Sequence, residues 1–217
     1  AKEHTILGLL DAMRQVAGNM GGSLEPTFKE GLPNLYCGIV SVFLMFLYLM
    51  AKEVRLRDKI CAVGLLLFFN VSFIIRQLDF IWHGFHFTNM IPYRFSFLYS
   101  FVVLCMAYRA WTLRRTFGSK RIVLAGVLAA AVLACSNQLT ETGPLELFGR
   151  EWNIHLYFIY NLIFLVLYLL AMLAGSITET APEGATPREI ARIRLEVHQQ
   201  SLRSRALILG IMVVELT

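Results

Sequence analysis

Between Asn34 and Gly175 the chain turns apolar five times, and a sixth apolar run opens near Arg205. The runs cover about Asn34–Ala51, Ile60–Leu78, Tyr93–Trp111, Ile122–Ser136 and Ile154–Gly175, then Arg205 to the last residue, Thr217. Crossing a bilayer takes roughly 17–25 residues of helix. Most of the runs reach that length, and the backbone of such runs can satisfy its own hydrogen bonds only as helix. The expected fold is therefore an all-α polytopic transmembrane helical bundle, with about six spans and the last one cut short. Composition agrees: 57% of residues are hydrophobic, 16% are charged, and the mean hydropathy is +0.59. A soluble domain sits at roughly 45–50% apolar. The fourth run is short and rich in Ala and Gly, which suits close helix packing and asks for a neighbour or a locally thin bilayer.

The connecting segments sort by charge. Those at 52–59 and 112–121 carry Lys52, Arg55, Arg57, Lys59, Arg114, Arg115, Lys120 and Arg121. Segment 176–204 carries Arg188, Arg192, Arg194 and Arg203 mixed with acids. Segments 79–92 and 137–153 are poor in basic residues. Basic and non-basic loops alternate, as the positive-inside rule requires of a real bundle. Residues 1–33 and loops 79–92 and 137–153 are thus expected outside, and 52–59, 112–121 and 176–204 in the cytoplasm. The expected organisation is an extracytoplasmic segment 1–33, a bundle 34–175, a cytoplasmic linker with an amphipathic helix 176–204, and a sixth span from 205. Pro187 sits where a first helical turn tolerates it. The helix that follows reads as a solvated connector or as a cationic face lying on anionic lipid. The net charge of +5 is a sidedness signal here and does not point to nucleic acid. The four cysteines (Cys37, Cys61, Cys105, Cys135) each lie in an apolar run, far apart, and read as packing residues. The chain starts at Ala1 and stops inside an apolar run, and is read as an internal piece of a longer protein.

One stretch breaks the pattern. "DFIWHGFHFTNMIPYRFSF", Asp79 to Phe97, gathers polar and aromatic residues between two apolar runs. Trp82, Phe85, Phe87, Tyr93 and Phe95 suit an aromatic belt at headgroup level. A belt does not account for Asp79, His83, His86, Asn89 and Arg94. Arg76 lies three positions before Asp79 and is read as pairing with it or as facing an outward cavity with Arg94; snorkelling is the simpler account of either arginine alone. Three chemistries fit the cluster. His83-x-x-His86 has metal-ligand spacing, but only Asp79 is at hand to help and no thiolate is near. The histidines and Asp79 fit a proton relay of the transporter kind. Arg94, with Asn89 and the histidines, fits a phosphate, for which a guanidinium is the preferred fork. Tyr36 and Asn34 either line the same cavity or are a belt tyrosine and a helix cap. Asn70 and Asn161 are the polar groups within the spans and suit interhelical hydrogen bonds. Glu141, Glu146 and Glu151 read as solvated loop acids.

"WHGFHFTNMIPYRFSFLYSFVVL" resembles the hallmark stretch of the bacterial YfhO family, roughly W-H-G-F-x-x-P-N-x-x-P-Y-R-x-S-F. "GLPNLYCGIVSVFLMFLYL" at 31–49 resembles a second family segment, and "VVELT" is similar to the family's helix end. Thr88 stands where proline is usual. The resemblance implies a large membrane protein of the bacterial cytoplasmic membrane, similar to glycosyltransferases of the GT-C class. Such enzymes move sugar from a polyprenyl-phosphate carrier on the outer face, here to a cell-wall polymer such as lipoteichoic acid. It implies no cofactor beyond that lipid-linked donor, and no nucleic-acid partner. His83, His86, Asn89, Arg94, Asp79, Trp82, Arg76 and Tyr36 would then bind the carrier phosphate or shape its pocket. The catalytic acid of that class lies in a first outer loop, which the resemblance puts upstream of Ala1. The alternative is a transporter or lipid flippase that uses the same cluster as a relay.

Overall fold

The computed structural model describes residues 33, 35–86, 93–138, 145–147, 150–152, 156–176 and 186–216. Its helices are α1 (Ile39–Met50), α2 (Leu56–Ile74), α3 (Arg76–Trp82), α4 (Ser96–Thr112), α5 (Ser119–Gln138), α6 (Leu156–Gly175) and α7 (Pro187–Leu216). A two-stranded antiparallel ribbon, β1 (Leu145–Leu147) and β2 (Arg150–Trp152), joins α5 to α6, with Glu146 opposite Glu151 in register.

α1 is the hub. It packs against α4, α5 and α6, while α7 packs on α6 and α2 on α4. Its sequence, "IVSVFLMFLYLM", is apolar nearly all round, which suits a helix enclosed by others; Ile39, Val42, Phe43, Leu44, Leu47 and Tyr48 are all buried. The surrounding helices bury a narrow stripe. In α4 the stripe is Val103, Met106, Ala107 and Ala110; in α5 it is Ile122, Ala125, Ala129 and Leu133. In α7 it is Ser201, Ser204, Ile208, Ile211 and Glu215. Small and polar side chains share these inward stripes with larger apolar ones, while Leu124, Val127, Leu170, Leu209, Val213 and Val214 face outward. A water-soluble bundle would carry polar residues on that outer face.

Small residues set the helix spacing. Gly126 of α5 faces Leu169 of α6, where an added Cβ would lie 3.0 Å from its Cδ1. Gly175 of α6 faces Ser204 of α7, whose hydroxyl donates to the Ala171 carbonyl at 2.6 Å.

Four sequence expectations change in detail. Span one is a 12-residue helix, and residues 35–38 approach it without helical structure. Gly38, at φ +87°, makes the bend. The short, Ala-rich span is a 20-residue helix, because it recruits Ser119–Arg121 and Asn137–Gln138, polar ends that hydropathy does not count. The amphipathic segment and the sixth span run on as one 30-residue helix, α7. Span two, read as unbroken, breaks at Ile75, whose backbone is extended (φ −91°, ψ 110°).

The helix ends fall into two groups. Glu53 lies within electrostatic reach of Arg121 and Thr116, and Arg114 within reach of Arg205 and Arg115. Burial, reinforced by those arginines, pulls Arg114 below the usual guanidinium range; its Nη1 donates to the Trp111 carbonyl and its charge sits 4.7 Å from the Trp111 ring centroid. The basic turns therefore share one end of the bundle. The 35–38 segment, the start of α4 and the end of α7 share the other.

Candidate functional site

The local fold of "FIWHGF" explains its residues. After α3, Phe85 N–H donates to the Phe80 carbonyl (3.0 Å) and Gly84 N–H to the Ile81 carbonyl (3.1 Å). That pair of bonds is a Schellman helix ending, which needs a left-handed residue after the cap. Gly84 supplies it at φ +69°. The apolar contact that accompanies such endings is present as well: the Phe80 and Phe85 rings meet edge-on at 5.9 Å. Phe85 itself is left-handed (φ 60°), and so is Tyr93 (φ 62°). Non-glycine residues adopt that conformation only where the surroundings enforce it.

The break at Ile75 turns α3 back along α2. Trp82 thereby reaches Phe68 (6.1 Å between centroids) and Phe69 (5.8 Å), and stacks on Phe95 at 5.0 Å and 15°. Phe95 is the cap residue of α4 and is 5% exposed. Phe73 stacks on Phe95 from its own side at 5.1 Å. His83 meets the edge of Phe95 at 6.3 Å. Trp82, His83 and Phe95 thus form one aromatic platform. Arg94, next to Phe95 in the chain, is exposed and has no carboxylate partner among the described residues. His86, beyond the Schellman turn, is exposed too.

Of the residues singled out in the sequence, the structure brings Trp82 and His83 onto this platform and leaves Arg94 exposed, next to Phe95 in the chain. Asn34 and Asn89 lie outside the described residues, as does the segment with Thr88. So do the side chains of Arg76 and Asp79, and with them the pairing expected between those two. Asn70 serves its own helix, donating to the Leu66 carbonyl at 2.9 Å; Asn161 is buried in α6. Glu141 lies outside the described residues.

Tyr36, expected either to line the same cavity or to be a belt tyrosine, binds a buried acid. Its hydroxyl donates to Glu215 Oε1 at 2.6 Å. The Tyr168 hydroxyl donates to Glu215 Oε2 at 2.6 Å, and the Ile39 backbone N–H donates to Oε1. Glu215 is 4% exposed, and this carboxylate closes the N-terminus of α1, where unsatisfied N–H groups and the helix dipole favour an anion. The sequence reading passed over Glu215. The signal was available, since an acid inside an apolar run has to be paired, but its partners lie 47 to 179 positions away.

The 35–38 segment joins the two features. Leu35 is fully buried with Phe69, Phe73 and Phe95, and the Ser100 hydroxyl of α4 donates to its carbonyl at 3.3 Å. Tyr36 and the N-terminus of α1 hold Glu215 on the other side.

The bacterial membrane protein YfhO family model matches residues 10–216. The chain belongs to the YfhO family. No curated protein and no solved structure matches it. Membership makes the chain a bacterial membrane protein, and the outward-facing aliphatic side chains acquire their physical reason in lipid. α6 contains an 18-residue window of mean hydropathy 2.3, Phe158–Gly175, long and apolar enough to cross by itself. α1 is apolar but shorter.

Proposed function

We propose that this YfhO-family chain forms part of the membrane domain of a sugar transferase. The enzyme takes sugar from a polyprenyl-phosphate carrier and passes it to a cell-wall polymer, such as lipoteichoic acid, on the outer face. The observation that carries the reading is Arg94, an exposed guanidinium without a described carboxylate partner, adjacent in the chain to Phe95, on which Trp82 stacks and whose edge His83 meets. A guanidinium binds phosphate oxygens bidentately. An exposed aromatic edge suits a sugar or isoprenoid. As the carrier phosphate leaves, charge builds on its oxygens, and donors fixed in advance stabilise it. Glu215 is a poor candidate for the base, since three donors already occupy its oxygens. The catalytic acid is expected from another part of the full-length protein. Neither a cofactor nor a metal enters the reading.

The reading includes a multi-pass topology with loops 79–92 and 137–153 outside and 52–59, 112–121 and 176–204 in the cytoplasm. The gathering of the basic turns at one end of the bundle supports it.

A second reading, transport or lipid flipping, draws support from two features. The break at Ile75 and the buried N-terminus of the short α1 both resemble the discontinuous helices of secondary transporters.

The test replaces Arg94 or His83 with Ala in the full-length protein and measures sugar transfer, with membrane insertion checked alongside. Transfer should fall by roughly 100-fold or more, the scale of losing one transition-state donor, while insertion persists. Retained transfer in both variants would sink the site assignment. Solute, proton or lipid flux in reconstituted liposomes, without any glycosylated product, would favour the second reading.

A further inference from the structure

We infer that Glu215 is a positioning residue for the Trp82–His83–Phe95 platform, acting through the segment Leu35–Gly38.

The chain of contacts is short. Glu215 receives Tyr36, Tyr168 and the Ile39 N–H, so one carboxylate on α7 ties together the 35–38 segment, α6 and the first turn of α1. Gly38, at φ +87°, carries the chain from Tyr36 into α1, and its Cα side faces the carboxylate: a Cβ there would lie 3.7 Å from Oε1. Four residues before Ile39, Leu35 enters the aromatic cluster with no exposed surface. Leu35 packs with Phe95, and Phe95 carries the stacked Trp82 and the edge of His83. Its second hold, Ser100 Oγ at 3.3 Å, is long and involves no charge. Ser41 Oγ also donates to the Cys37 carbonyl at 2.7 Å, but the Tyr36 bond to Glu215 is the one side-chain bond of the segment made to a carboxylate, and it ties the segment to α7 and, through the same group, to α6 and α1.

A carboxylate suits the site. All three partners donate to it; an amide in its place would turn its NH2 toward a tyrosine hydroxyl, which would have to accept instead, and would take the charge out of all three bonds. A role confined to closing α1 would be complete at Ile39. The two tyrosines make the difference, because they bind the segment and α6 to the same group.

The inference rests on the transferase reading only for the chemistry of the platform, and its test is independent of activity. In the full-length protein in nanodiscs, Cys37 alkylation and hydroxyl-radical oxidation of Trp82 are measured by peptide mass spectrometry. Cys37 adjoins Tyr36 and is half-buried, so it reports on the segment; Trp82 reports on the platform. Glu215→Gln should raise Cys37 alkylation by about tenfold, the scale of losing charge-assisted bonds, and should raise Trp82 oxidation with it. Tyr168→Phe keeps the ring and removes one donor; it should move both signals the same way by a smaller factor. It also serves as the test if Glu215→Gln does not insert. Trp82 oxidation unchanged in the inserted variants, whatever Cys37 does, overturns the inference. Arg94→Ala should leave both signals at wild-type level. If that substitution abolishes transfer while Trp82 ignores Glu215→Gln, the transferase reading stands and this inference falls. If no transfer occurs in the wild type while both probes respond, the reverse holds.

Discussion

Trp82 lies 5.8 Å from Phe69, ring centroid to ring centroid, although the two are 13 positions apart in sequence (82 less 69). In a straight helix that separation would be about 20 Å along the axis. The difference is the reversal at Ile75. It trades continuation of α2 for the burial of Trp82 against Phe69 and Phe95. Replacing Trp82 with Ala removes three ring contacts, each worth about 0.5–1.5 kcal/mol. The indole is 37% exposed, so its loss should cost less than a fully buried tryptophan would. Thermal unfolding in detergent should show a loss of about 1–3 kcal/mol. Trp82→Phe should recover part of it. An unchanged midpoint for the alanine variant would mean that α3 does not dock on α2.

Gly84 is required by geometry and not by crowding. A Cβ at Gly84 would meet nothing within 4 Å, yet the residue sits at φ +69°. Gly84→Ala should therefore cost about 1–2 kcal/mol from the left-handed backbone alone. Gly84→Asn, which tolerates that conformation better, should cost less. The measurement is again the unfolding midpoint, and an order Asn below Ala would refute the Schellman account. The neighbouring Phe85 makes the same turn at φ 60°, so Phe85→Gly should relieve backbone strain while losing the Phe80 contact.

At the other end of the molecule, "TPRE" forms a capping box that opens α7. Glu189 Oε2 accepts from the Thr186 N–H and hydroxyl, both at 2.8 Å, and Glu189 N–H donates back to Thr186 Oγ1 at 3.4 Å. The Thr186 backbone N–H, then its hydroxyl, hold the Glu189 carboxyl below its ordinary range. A depressed carboxyl pKa stabilises the folded form above the unfolded pKa, near 4.3, and that contribution is lost as pH falls through the folded value. The backbone N–H groups of Thr186, Glu189 and Ile190 should thus lose hydrogen-exchange protection, corrected for intrinsic rates, as pH drops below about 4. Glu189→Gln should show no such step. A step of equal size in both proteins would assign it to another group.

Much of the architecture was legible one residue at a time. Apolar runs have to become helices where no water can pair the backbone, and the alternation of basic and neutral connections follows from local composition. Helices form at the apolar runs, with altered ends where polar residues such as Ser119 and Gln138 extend a helix without adding hydropathy and with a break at Ile75; among the described residues one helix, α6, is long and apolar enough to cross a membrane by itself. "WHGF" was also informative in itself: a glycine after an aromatic helix end marks a left-handed cap. The four residues were noticed for their polarity and aromaticity, while half of their reason turned out to be backbone geometry.

What the sequence by itself determined is the class of the chain and the identity of one polar–aromatic cluster. Both depend on residue type and near-neighbour spacing. What only the tertiary structure decided is which groups meet. From its sequence position Tyr36 reads either as a cavity residue or as a belt tyrosine, and its hydroxyl goes to Glu215, 179 positions away. Ile75 carries no proline or glycine to announce a break, and the reversal there is a packing solution reached by Trp82, Phe69 and Phe95 together. Glu215 looks like an isolated charge at the end of an apolar run until α1 and α6 bring three donors to it. Burial of a charge is a property of its surroundings, and those are assembled from distant parts of the chain.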